Sequence, residues 1–155
     1  MHGLCLGIRK DLIGGIMEIN FIDLNNEDFD PELYIKILVA VAKADKNNGP
    51  REFEYVANQA NRLGIDFARV WDTTDKTFLI SGKEVSRLTA VVIIKDCILL
   101  ASLDNNFSLA ERDKVYAYAA KLDITRSDVD YIAEWLGDFD ALEKKWNRLI
   151  TSDVY

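Results

Sequence analysis

Two short stretches of this chain place oxygen ligands at matching intervals. Asp45, Asn47 and Glu52 form the first set, and Asp104, Asn106 and Glu111 form the second. In each, an Asn lies two residues after the Asp and a Glu lies seven after it. Carboxylate and amide oxygens are the donors preferred by hard divalent cations, so the chemistry to expect is a site for Ca²⁺ or Mg²⁺. The spacing is not that of an EF-hand, because no glycine occupies the sixth position and the Glu comes at the eighth rather than the twelfth. The same residues also have a structural reading. Ser108-x-x-Glu111 has the spacing of a capping box, and Gly49-Pro50-x-Glu52 puts Glu52 at the equivalent point of its helix, where a carboxylate reaches back to the backbone N–H at the cap.

Little else in the chain can do chemistry. The sole histidine is His2, which leaves no Ser-His or Cys-His nucleophile, no HExxH and no imidazole-rich zinc site. Cys5 and Cys97 form no CxxC pair, so neither a disulfide framework nor a thiolate metal site is expected, and a reducing compartment is. Asp96 stands in the middle of a very apolar segment. Burial there requires a partner, which Lys36 or Lys95 can supply, or else a neutral carboxyl. A carboxylate-based Mg²⁺ hydrolase using Asp45, Asp96 and Asp104 is the alternative enzymatic reading, and it requires these acids to converge on one cleft.

The elements that position the two acidic sets are themselves repeated. Residues 35–66 align with 94–125 at a constant offset of 59 without a gap. Ten of the 32 pairs are identical: Ile35/Ile94, Lys36/Lys95, Ala42/Ala101, Asp45/Asp104, Asn47/Asn106, Glu52/Glu111, Val56/Val115, Ala60/Ala119, Leu63/Leu122 and Ile65/Ile124. Average amino-acid usage would give about two. Each copy reads as an apolar run ending in Asp, a polar loop, then an amphipathic run opened by Glu, which is one supersecondary unit used twice.

Helix signals are frequent and period-two alternation is scarce, so the expected fold is all-α with about seven helices, the duplicated units arranged around two central buried helices. Asp30-Pro31 starts a helix running to about Ala44. Gly49-Pro50 starts the next, which Gly64 closes. Asp66 caps a short helix carrying Phe67, Val70 and Trp71. Helices over about 83–103 and 109–122 form the second copy. Thr125-x-x-Asp128 caps a further helix ending at Gly137, and a last one carries Leu142, Trp146, Leu149 and Ile150. Leu38, Val41, Ile94, Ile98 and Leu99 are the expected centre of the core. Tyr131, Trp135, Leu142 and Trp146 either line a groove for a protein partner or pack the C-terminal helices onto the core, and their apolar spacing favours packing.

Residues 1–30 read as a lead-in segment and 31–155 as a single helical domain. The stretch GIMEINFIDL is open to a short strand or an irregular lead-in, and Met17 is a second candidate start. A net charge of −7 and a pI near 4.7 argue against nucleic acid and against anionic membrane surfaces. The N-terminal apolar pieces are interrupted by Arg9, Lys10 and Asp11, unlike a signal-peptide core, and no apolar run spans a bilayer. The expectation is a cytoplasmic protein with a protein partner.

The paired segments AKAD(45) with Glu52 and ASLD(104) with Glu111, each followed by a helix ending in LG or LD before Ile, resemble the tellurite-resistance TerB-like family. The resemblance covers about 31–136. The glycine that usually follows the Asp in that family is replaced by Lys46 and Asn105 here. What the resemblance implies is an all-helical duplicated domain, related also to a domain at the N-terminal end of DnaJ-like co-chaperones. It further implies a role in stress response or metal handling without enzymatic activity, with metal binding resting on Asp45, Glu52, Asp104 and Glu111.

Overall fold

A computed structural model describes residues 8–10, 17–19, 27–44, 49–78, 84–102 and 109–151. Among them are six α-helices: α1 (Pro31–Ala44), α2 (Pro50–Arg62), α3 (Phe67–Thr73), α4 (Arg87–Ala101), α5 (Leu109–Lys121) and α6 (Arg126–Thr151). The body of the fold is all-α. Ahead of it, β1 (Ile8–Lys10) and β2 (Met17–Ile19) pair antiparallel, with Arg9 opposite Glu18, so part of the stretch that read as strand or lead-in is strand.

α1 and α4 pack on each other at the centre. Both are apolar around most of their circumference, so neither has a face it can leave in water. Ile35, Leu38, Val39, Ile93 and Ile94 are wholly buried, and Ile98 nearly so. Val41 and Leu99, expected at the same depth, are half-buried and pack against the buried cluster rather than within it. Polar groups fasten the starts of these helices together. Thr89 Oγ accepts the Asp30 N–H at 3.0 Å and donates to the Asp28 carbonyl at 3.2 Å, while the Ser86 hydroxyl donates to that same carbonyl. Asp30 caps α1 through the Leu33 N–H at 3.1 Å, and Ser86 caps α4 through the Thr89 N–H at 3.1 Å.

Each central helix carries its own pair of followers: α2 and α3 lie against α1, and α5 and α6 against α4. The internal repeat is visible bond by bond. α2 and α5 begin and end at positions 59 apart. Each closes with a residue in the left-handed region, Gly64 at φ 72° and Asp123 at φ 61°. The next N–H turns back onto the same carbonyl: Ile65 to Ala60 and Ile124 to Ala119, both at 2.9 Å. The equivalence continues beyond the matched sequence. Asp66 caps α3 through the Arg69 N–H, and Thr125 caps α6 through the Asp128 N–H, again 59 apart, with Val70 and Val129 both wholly buried one residue later. The repeated unit is therefore three helices long.

The C-terminus departs from expectation. Gly137 does not end a helix; α6 runs unbroken for 26 residues. A mid-helix glycine costs about 1 kcal/mol relative to alanine, which the strong helix formers on both sides offset. Gly64 differs because its backbone turns left-handed, whereas Gly137 stays helical with open space where a Cβ would stand.

Candidate functional site

Of the six acidic-loop residues, Glu52 and Glu111 lie among the described residues, and Asp45, Asn47, Asp104 and Asn106 lie outside them. Glu52, the third residue of α2, turns its Oε1 back to accept the Gly49 N–H, the arrangement of a helix cap. A Cβ at Gly49 would stand 3.1 Å from that oxygen, so glycine lets the carboxylate approach closely. Glu111 is half-buried at the same position of α5. Among the described residues, no group of three or more His, Cys, Asp or Glu side chains could hold a metal ion.

A second cluster surrounds Asp96. Its carboxylate lies in the middle of α4 with no solvent exposure. Tyr34 of α1 donates its hydroxyl to Oδ2, Tyr55 of α2 donates to Oδ1 at 2.7 Å, and Lys95 places its ammonium 3.1 Å from Oδ1. Gln59 completes the set by donating to the Tyr34 hydroxyl at 2.8 Å. Burial, with the negative charge of Asp96 second, holds the Tyr34 phenol well above its usual range. The same two causes push the neighbouring Cys97 thiol up to about 12. A thiol so placed is a poor nucleophile. The two phenols and the ammonium cover both carboxylate oxygens, so the cluster ties α1, α2 and α4 together and offers no open position to a substrate.

Of the two lysines expected beside Asp96, Lys95 takes the role, while Lys36 pairs with Glu32 at 3.5 Å on the surface. Neither tyrosine was expected as a partner of Asp96. A signal was present: Tyr34 sits in an apolar run, Tyr55 shares a helix face with Val56 and Ala60, and a buried phenol needs an acceptor as much as a buried carboxylate needs donors.

Comparison with protein-family models, with curated proteins and with solved structures gives no match to this chain. What remains is the molecule's own surface.

There the notable feature is α6. Its first turns bury Val129 and Leu136 against the core. Beyond Gly137 a different face emerges. Leu142 is 63% exposed, Trp146 55%, Leu149 58% and Ile150 55%, continuing a line that starts with Tyr131 at 71% and Trp135 at 38%. Trp135 rests on Phe139, with ring centroids 6.1 Å apart. The sequence expectation that packing on the core would cover Tyr131, Trp135, Leu142 and Trp146 is thus corrected. Only one flank of α6 faces α4 and α5, and these side chains project beside that flank. Elsewhere on the surface, an open groove runs past Lys43 and Asp72 to Lys76. Lys43 itself is committed to structure there, donating to the carbonyls of Trp71 and Thr74 and lying 4.8 Å over the Trp71 ring. No described helix is long and apolar enough to cross a membrane.

Proposed function

We propose that this chain is a non-enzymatic, cytoplasmic protein-interaction module of TerB-like design, acting in stress response through the outer face of α6. The observation that carries the proposal is the exposure of Leu142, Trp146, Leu149 and Ile150 side by side on one helix. Exposed single apolar residues are ordinary, but a contiguous row including tryptophan is the composition of a protein-binding surface.

Two further observations support it. Asp96, which a carboxylate hydrolase would need at an open cleft, is sealed by Tyr34, Tyr55 and Lys95. Glu52, one of the carboxylates a loop metal site would use, is engaged on the Gly49 N–H. The TerB-like assignment rests on the repeated helix pair with its Asp and Glu positions. The bond-by-bond equivalence at offset 59 supports duplication without naming a family.

The test is site-specific photo-crosslinking in cells expressing the full chain. A photoreactive residue at Leu142 is expected to give protein adducts, and the same residue at Lys144, on the opposite side of α6, none. Equal labelling from both positions, or none from Leu142, would reject the reading.

A further inference from the structure

We infer that the occupant of the α6 face is the same face of a second copy of this chain, docked antiparallel. This inference rests on the interaction reading above and goes beyond it by naming the partner.

The first ground is spacing. Ile132, Trp135, Phe139, Leu142, Trp146 and Leu149 follow one another at alternating intervals of three and four, the a/d pattern of a two-helix seam. A helix that only packs on a globular core needs a broader stripe of period 3.6. α6 carries both: Val129 and Leu136 point to its own core, and the a/d row lies beside them. Ile132 and Phe139 sit between the two, half-buried, while Trp135, Leu142, Trp146 and Leu149 project outward.

The second ground is self-complementarity, which a two-fold interface demands. In an antiparallel pair a-residues layer against d-residues. A single register satisfies every layer here: Phe139 meets Leu142 of the second copy, Trp146 meets Trp135, and Ile132 meets Leu149. That register also fixes the flanking charges. Asp138 and Lys145 are both exposed on the side of the row away from the core, and each falls opposite the other across the seam, giving two Asp–Lys pairs from one operation. A parallel arrangement would instead turn Asp138 towards Glu143, which is buried on the core side of α6, and Lys145 towards Ile150, with no attractive pair.

The experiment is sedimentation velocity on the full chain over a concentration series from micromolar to millimolar, with circular dichroism to verify that each variant keeps its helix content. Wild type is expected to show a monomer–dimer equilibrium. L142D and W146D are each expected to weaken the dimer by about a hundredfold or more. D138K puts two lysines face to face at both ends and is expected to weaken it roughly three- to tenfold, with D138K/K145D returning close to wild type. A dimer that tightens with D138K does not set Asp138 against Lys145, which overturns the inference. So does a dimer indifferent to L142D and W146D, since it then uses another surface. A wild type that is monomeric throughout also overturns it. In that last case, adducts from Leu142 to a different protein would still uphold the interaction reading, so the two failures are distinguishable.

Discussion

Tyr55 and Asp96 stand 41 residues apart in the chain and share a 2.7 Å hydrogen bond in the interior, where the Tyr55 hydroxyl donates to Oδ1 of the carboxylate. The bond joins the second helix of the first copy to the central helix of the second. It is absent from the repeat symmetry: position 37, the counterpart of Asp96, is isoleucine, and position 114, the counterpart of Tyr55, is lysine. The contact thus ties α2 to α4, and the equivalent positions on α5 and α1 carry no such pair.

Removing one donor from that carboxylate should be felt as a loss of stability. Tyr55→Phe keeps the ring and deletes the hydroxyl, and is expected to cost about 1 to 3 kcal/mol. Asp96→Asn is expected to cost more, about 3 to 5 kcal/mol, because the new amide N–H₂ must face a phenol or an ammonium that is itself a donor. Urea titration of the two variants checks both figures. A Tyr55→Phe protein as stable as wild type would mean that the carboxylate is held by Tyr34 and Lys95 alone.

The paired turns offer a comparison within one molecule. Gly64 and Asp123 adopt the same left-handed conformation at equivalent places, yet only glycine does so without a Cβ penalty. Asp123→Gly is expected to stabilise the protein by about 1 kcal/mol, and Gly64→Ala to destabilise it by a similar amount. Thermal unfolding of both single variants tests this. The same sign of change in both would show that the two turns do different work.

How much of this was legible beforehand depends on how local the cause is. Asp30-Pro31, Gly64 and Thr125-x-x-Asp128 act within four residues, and each marks a helix boundary in the structure. The duplication was legible because apolar positions such as Ile35/Ile94 and Val56/Val115 are held by the core. The helices capped by Asp66 and Thr125 were both expected, but their equivalence as the third helix of the repeat was not, because the caps are different side chains and Val70/Val129 is the identical pair just beyond. Gly137 misled because a glycine's effect depends on whether the chain beyond it can remain helical. The Tyr34–Asp96–Tyr55 cluster joins residues 62 and 41 apart, which no local pattern encodes. The α6 row is a similar case, since an apolar row on a helix reads alike whether the chain's own core or another chain covers it, and the exposure of Leu142 and Trp146 separates the two.

Alkaline stability should report on the buried acids. The Cys97 thiol titrates near 9 when unfolded and is pushed up to about 12 in the fold by burial and then by Asp96. Between those values the unfolded chain releases a proton that the folded one keeps. Stability is therefore fully present below pH 9 and is lost as pH rises towards 12, at up to about 1.4 kcal/mol per pH unit for this group. Tyr34, raised for the same reasons, acts in the same direction from a starting point near 10. Denaturant titrations from pH 8 to 11 are expected to show the decline, and Cys97→Ala should flatten it by about one proton's worth of slope whatever its effect at neutral pH. An unchanged slope in that variant would mean that the thiol titrates normally in the fold.

Glu52 decides between the two meanings of the acidic loops. A carboxylate that caps a helix accepts from a backbone N–H, as Glu52 does from Gly49, whereas a cation ligand must direct its lone pairs away from the backbone towards the ion. Only the second role responds to added metal, because a ligand that binds only the folded state raises the melting temperature by mass action. With Glu52 acting as a cap, millimolar Ca²⁺ or Mg²⁺ is expected to leave the melting temperature of wild type where it is in chelator. Glu52→Ala is expected to lower stability by about 1 kcal/mol, as loss of a cap does, while Glu52→Gln, which keeps an acceptor oxygen, should retain most of it. A cation-dependent rise in wild type that disappears in Glu52→Gln and in Asp45→Ala/Asp104→Ala, with heat of binding in calorimetry, would reverse the assignment and place a metal at the loops.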